Sequence, residues 1–245
     1  MKKVKLMLAI LIGLLIMVAC GENGDQEEQT SPNPQDMEEM PEPDFEDVPE
    51  IVAEVNGSEI SRTEFEQTYV SQFQQMVMQA QMTGEQVDQN QLKTELVESM
   101  IDQELLIQEA NNRGFAASDE EVDTMLAEIA EINGIESQEA LFEAFEEQGM
   151  SREEIVEQIE MSVMLELLIE DEMGEVNISD EELQALYDEV IVQFEQTEDE
   201  EENLPTFEEL RPELEAELLM QEESEVVTEL IESLRAEADI VNHYS

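Results

Sequence analysis

Carboxylates are by far the most abundant side chains that could do chemistry in this 245-residue sequence. Asp and Glu total 66, against nine Lys and Arg, one histidine (His243) and one cysteine (Cys20). These numbers argue against a Cys–His pair or a Ser–His–Asp triad, and they exclude a Cys-based zinc site. No segment has the spacing of a calcium-binding loop, and no carboxylate has an evidently apolar environment that would raise its pKa. We therefore predict no catalytic residue and no metal site.

The net charge of −57 also restricts the class of partner. Three of the nine basic residues precede Cys20, which leaves six for the rest of the chain. Nucleic-acid binding depends on Lys and Arg that displace counterions from phosphates, so we expect no nucleic-acid partner. No phosphate-binding GxxxxGK[ST] loop is present, and we expect no nucleotide or other cofactor. The acidity is typical of a solvated surface in salty or alkaline surroundings, with attraction to basic polypeptides as the alternative.

The single cysteine, Cys20, ends a segment with the charged, apolar and small-residue regions of a secretory signal peptide. Residues 1–19 begin with lysines, continue with an apolar run and end in Ala19. The run is shorter than the roughly 20 residues of a membrane span, although an uncleaved anchor helix is the alternative. The sequence MVAC at Met17 to Cys20 resembles the lipobox of bacterial lipoproteins, with Met17 where Leu is commonest. This resemblance implies a diacylglyceryl group on Cys20 and a lipid-anchored, extracytoplasmic protein at the cell membrane.

The elements that would position the candidate residues begin after an acidic, proline-rich segment. Residues 20–50 contain five of the seven prolines and few apolar side chains, which predicts a disordered tether. Beyond it, five Ser or Thr residues are followed three positions later by Glu, the spacing of a helix capping box. These pairs are Ser61/Glu64, Ser118/Glu121, Ser151/Glu154, Ser179/Glu182 and Thr206/Glu209. Apolar stripes after them predict helices, and the stripe from Leu92 to Ile107 indicates a central one.

Two short segments alternate between apolar and polar residues instead. The first, from Ile51 to Ile60, contains Asn56-Gly57, the strongest short signal for a β-hairpin. The second, from Ala238 to Val241, is a candidate partner strand. Pairing of the two would bring both ends of the body together.

The succession of these elements resembles the N-terminal chaperone domain of SurA and PrsA type foldases. The matching segments are VAEVNGSEISRTEFE, ELLIQEANNRGFAASDEEVDTML, ALFEAFEEQGMSREEIVEQIEMSVMLELLI and VNISDEELQALYDE. FEELRPELEAELLMQEESEVVTELIESLRAEADI resembles the helix and strand that complete the domain. The resemblance implies a mainly α chaperone domain closed by a long C-terminal helix, with a small β ribbon from the two ends of the body. Its main part would span residues 51–192, completed by residues 206–245.

The resemblance also implies what is missing. Many relatives carry a parvulin prolyl isomerase domain where this chain has an acidic linker, residues 193–205, without a histidine. We therefore expect an ATP-independent chaperone for unfolded or newly exported polypeptides, without isomerase activity. A peptidyl-prolyl isomerase by kinship and a helical surface scaffold for one specific partner are the alternatives. Exchange of the last helix between chains would allow a homodimer.

A chaperone of this kind needs an adaptable apolar surface, which methionine provides through its flexible, polarizable side chain. We predict a client-binding surface on the first helix, with a contribution from a later one. Its candidate residues are Phe65, Tyr69, Phe73, Met76, Met78, Met82, Met161 and Met164. The alternative interpretation is that this stripe is ordinary core against the Leu92 to Ile107 helix.

Overall fold

The described part of the chain is built from seven helices and a small three-stranded sheet. The structure is a computed structural model that describes residues 41–83, 86–147, 149–197 and 205–244. The predicted signal peptide and Cys20 lie outside the described residues. The mainly α class expected from the sequence is confirmed.

The sheet joins the two ends of the body, as predicted. Strands β1 (Ile51–Val55) and β2 (Ser58–Ser61) form an antiparallel hairpin, and β3 (Ile240–Asn242) pairs antiparallel with the other edge of β1. Asn56 and Gly57 at the turn have φ angles of 53° and 86°. Both central residues of this tight turn need positive φ, which explains the Asn-Gly pair.

The first core lies between the sheet and two helices, α1 (Arg62–Thr83) and α2 (Gln89–Arg113). Helix α2 is central, because it packs against α1, β1 and two later helices. Its start is fixed by Asp88, whose carboxylate accepts hydrogen bonds from two backbone amides at 3.1 Å. The apolar stripe of α2 is buried in this core through Leu92, Leu96, Val97, Ile101 and Leu105.

A second core is enclosed by three consecutive helices. These are α3 (Asp119–Ile132), α4 (Gln138–Glu147) and α5 (Arg152–Met173). Four of the five predicted capping boxes are complete, at the starts of α1, α3, α5 and the sixth helix. At Thr206 the Glu209 carboxylate accepts from the Thr206 amide, while the Glu209 amide donates to the Thr206 backbone carbonyl. Gly114 follows α2 with a φ of 81° and ends it in the left-handed conformation.

The last two helices, α6 (Asp180–Thr197) and α7 (Phe207–Glu237), pack against each other, with the rings of Tyr187 and Phe207 edge to face at 5.6 Å. The final turns of α7 reach back to the body, where Leu230 joins a third core with residues of α2 and α5. Arg235 of α7 donates hydrogen bonds to the carboxylates of Asp102 and Glu98 on α2. The long closing helix inferred from the resemblance is therefore attached to the central one.

Two predicted boundaries differ from the structure. Residues 41–50, expected to belong to a disordered tether, pack on the body and are called the strap below. Val48 is only 3% exposed, and the ring of Phe45 lies edge-on to Tyr69 at 5.5 Å, so two apolar side chains fix this acidic segment. Helix α6 continues to Thr197, five residues into the predicted linker 193–205, because Gln and Glu in this stretch are good helix formers.

Candidate functional site

The six predicted client-binding residues on helix α1 fall into two groups. The first group is aromatic and buried: Phe65 and Tyr69 are fully buried and Phe73 is 2% exposed. Their rings stack in a row, with centroids 5.6 and 5.8 Å apart. The four-residue spacing places all three on the face of α1 that meets the first core. The prediction that they form an exposed surface is corrected here, and the alternative interpretation as core applies to them.

The second group lies in the later half of α1 and is exposed. Met76 and Met78 are each 39% exposed and Met82 is 88% exposed, while Val77 between them is buried. We call Met76, Met78 and Met82 the methionine surface. The rest of the exposed face is mainly glutamine, with no charged residue from Gln67 to Thr83. In a chain in which 31% of residues are charged, this uncharged stretch is a sequence signal that the analysis of apolar spacing missed.

The two candidate residues of α5 have different environments. Met161 is 38% exposed, and its sulfur lies 3.9 Å from the side-chain nitrogen of Gln103 on α2. Met164 is partly buried against the third core. The structure therefore places Met161 at the surface and assigns Met164 mainly to packing.

Cations hold the strap against α1 and α2. The side chain of Lys93 is only 1% exposed, and its Nζ lies 3.4 Å from the Asp44 carboxylate. A hydrogen bond from the Glu46 amide, followed by the effect of Lys93, lowers the pKa of Asp44. Arg62 donates to the backbone carbonyls of Val48 and Phe45 at 2.7 and 3.2 Å. Two of the six basic residues after Cys20 therefore bind the strap.

One carboxylate contradicts the expectation that none is shielded from water. Glu166 on α5 is partly buried, and this burial, with repulsion from Glu170, Glu128, Glu223 and Glu121, raises its pKa to about 7. Burial also raises the pKa of Glu223 on α7. The sequence does not reveal this, because the carboxylates come from three helices that meet only in the fold. Within the described ranges, no three His, Cys, Asp or Glu side chains are arranged to hold a metal ion.

The raised pKa of Glu166 predicts a pH dependence of stability. The folded protein holds this proton more tightly than the unfolded chain, whose Glu titrates near 4.5. The contribution to stability is therefore complete below pH 4.5 and is lost as the pH rises through about 7. We expect Glu166→Gln to raise the free energy of unfolding at pH 8 by about 1 kcal/mol, reduced for partial exposure. At pH 5.5 the gain should fall to roughly two fifths of its value at pH 8, because the unfolded Glu already ionises there while the folded one stays protonated.

Urea unfolding at pH 5.5 and pH 8 measures this difference. Glu160→Gln, an exposed position on the same helix, is the matched control, and its effect should not change between the two pH values. An equal gain from Glu166→Gln at both pH values would contradict the assignment.

Comparison with known families agrees with the arrangement of the first five helices. The sequence model described as SurA-like N-terminal domain matches residues 1–169, well over half of the chain. The chain therefore belongs to the SurA-like N-terminal domain family, which gives it a relationship to chaperones. Domains of this family are typically extracytoplasmic or periplasmic.

No parvulin domain is evident in the 245 residues. No curated protein matches the chain. None of the helices in the described ranges is long and apolar enough to cross a membrane. Helices α6 and α7 and strand β3 lie beyond the family match, although β3 and Arg235 attach them to the matched body.

Proposed function

We propose that the protein is a membrane-anchored, extracytoplasmic, ATP-independent chaperone for unfolded or newly exported polypeptides. The observation that carries this proposal is the methionine surface, an exposed and uncharged face in a SurA-like domain of extreme acidity. Residues 51–192 and 206–245 would form one chaperone body. Residues 198–204, between α6 and α7, lie outside the described residues.

The chemistry of this face suits clients of many sequences. Methionine has three rotatable bonds, so three exposed methionines adapt to different apolar segments without a shaped pocket. The glutamines around them offer both hydrogen-bond donors and acceptors to an unfolded backbone. Because no charge adjoins the methionines on α1, an apolar client segment does not have to strip water from a carboxylate. The strongly acidic remainder of the chain would keep a chaperone–client complex soluble.

The membrane attachment in this proposal rests on the sequence MVAC at Met17 to Cys20. A diacylglyceryl group supplies two acyl chains, which is enough for stable anchoring without a transmembrane helix. Residues 20–40 would serve as the tether, shortened by the strap relative to the sequence prediction. Mass spectrometry of the membrane fraction tests this part, because Cys20→Ser should abolish the lipid adduct and release the protein.

The chaperone activity is tested by light scattering of a chemically unfolded, aggregation-prone client. We expect the protein to suppress scattering at near-equimolar ratio. Replacing Met76, Met78 and Met82 with serine should raise the amount needed for half-suppression by about fivefold or more, since the variant loses most of the exposed apolar area of α1. Circular dichroism should show an unchanged helix content, because the three side chains are exposed.

Two matched control variants remove exposed apolar groups elsewhere. Met220→Ser on α7, 58% exposed, and Ile132→Ser on α3, 68% exposed, should retain full suppression. Equal loss in all variants would show a non-specific effect of surface apolarity. Absence of suppression for several unrelated clients would overturn the chaperone proposal and favour a scaffold for one partner.

A further inference from the structure

We propose that the groove occupied by the strap is a binding site for an extended polypeptide segment, and that the strap fills it in cis as an internal competitor. The ligand has an acidic residue, then an aromatic residue, then an aliphatic residue three positions later. This inference rests on the proposed function and deepens it, because it assigns a second client contact beside the methionine surface.

The groove recognises the strap mainly through its backbone. Arg62 donates to the carbonyls of Val48 and Phe45, and the Gln89 side chain donates to the carbonyl of Glu42 at 3.1 Å. The same Gln89 accepts a hydrogen bond from the Asp44 amide at 2.9 Å. Main-chain contacts of this kind hold any extended peptide, whereas side-chain pockets select its sequence. Four such bonds from two side chains are available to a segment other than the strap.

Three side-chain positions of the strap provide the selectivity. Val48 is buried, Phe45 lies against the ring of Tyr69, and Asp44 meets the buried Lys93. Every other strap residue is exposed or half-exposed. The pattern Asp-Phe-x-x-Val therefore describes what the groove accepts.

The ion pair between Lys93 and Asp44 distinguishes a binding groove from simple packing of the strap on the body. A fully buried ammonium group is costly unless it is paired. Its partner Asp44 belongs to the strap and remains 53% exposed, so the pair joins the strap to α2 and does not join two core helices. A client carboxylate at the same place would restore the pair. No described helix supplies another ion-pair partner to Lys93.

The location of the groove links it to the methionine surface. The strap crosses the first half of α1 at Arg62 and Tyr69, and the methionine surface lies on the second half of the same helix. A client segment that displaces the strap would extend along α1 and contact both. Because the strap is covalently attached, its effective concentration is about millimolar, and it sets the affinity that a client must exceed.

Binding of a labelled strap peptide tests the proposal. A fluorescein-labelled peptide of residues 41–50, PEPDFEDVPE, is titrated with the protein and followed by fluorescence anisotropy. In the variant Phe45→Ala/Val48→Ala, whose own strap is weakened, we expect a Kd at least about tenfold lower than in the unaltered protein. A peptide with serine in place of its Phe and Val should not bind. Met220→Ser, an exposed position on α7, should leave peptide binding unchanged.

A second measurement on the unaltered protein keeps the test valid if the weakened-strap variant fails to fold. Hydrogen exchange reports the amides of Asp44 and Val48, which are hydrogen-bonded to Gln89 and Phe45. Millimolar unlabelled peptide should accelerate their exchange about twofold or more, while the amides of α2 stay protected.

The outcomes separate this inference from the proposed function. Equal peptide affinity in the two proteins, or strap amides that exchange at an unchanged rate, would overturn the groove even if scattering is suppressed. Peptide binding without any suppression would overturn the chaperone and leave the groove intact. A concentration-dependent dimer that disappears in the weakened-strap variant would show a strap exchanged between copies and would also overturn competition in cis.

Discussion

Replacing Phe73 with alanine is expected to lower the free energy of unfolding by about 3–5 kcal/mol. The ring is 2% exposed, stacks on Tyr69 with a centroid distance of 5.8 Å and belongs to the first core. Its loss removes buried apolar area and leaves a cavity between α1 and α2. Urea unfolding followed by circular dichroism measures the change.

Met82→Ala is the matched control for this prediction. Met82 lies nine residues later on the same helix and is 88% exposed, so its replacement should change stability by about 0.5 kcal/mol or less. A small effect at both positions would show that Phe73 is not core, and the interpretation of the aromatic row as a client surface would return.

Arg235→Met is expected to lower the free energy of unfolding by about 2 kcal/mol. Arg235 donates to the carboxylates of Asp102 and Glu98 and to the Glu98 carbonyl at 3.2 Å. Without the guanidinium, two partly buried carboxylates lose their cation, although Glu98 keeps the hydrogen bond from the Asn242 side chain. The expected loss is larger than for an exposed pair and smaller than for a fully buried one. Thermal unfolding measures the loss.

Arg211→Met provides the comparison on the same helix. Arg211 pairs with Asp180, whose side chain is 83% exposed, and with Glu215 one turn away. Surface pairs contribute little, so this variant should unfold at nearly the same temperature as the unaltered protein. If Arg211→Met and Arg235→Met were equally destabilising, Arg235 would not be the link between α7 and α2.

Local sequence signals predicted the ends of the elements well. The Asn56-Gly57 turn and the capping boxes depend on residues no more than three positions apart, so they are fixed before any tertiary contact forms. The pairing of β3 with β1 was also predicted, from alternation at both ends of the body. These features agree with each other, as expected where local preference and fold coincide.

Features that depend on long-range contacts were harder to predict. The composition of the strap predicted disorder. The strap is ordered because Arg62 and Lys93, from helices later in the chain, bind it. Apolar spacing alone did not separate Phe73 from Met78, because both lie in one apolar helix. The shielding of Glu166 arises where α3, α5 and α7 meet. The absence of charge after Gln67 is a local signal, and it would have separated the two halves of α1.

Because β1 is the middle strand, the sheet is complete only when strands from both ends of the chain have paired with it. Its second partner, β3, comes from the opposite end of the chain, with Ala53 paired to Asn242. Joining segments so far apart costs loop-closure entropy and is slow. During synthesis from the N-terminus, the hairpin therefore emerges first, and the second edge of β1 stays unpaired until the last residues are made. Until β3 arrives, the nascent protein exposes the same unpaired backbone as an unfolded polypeptide.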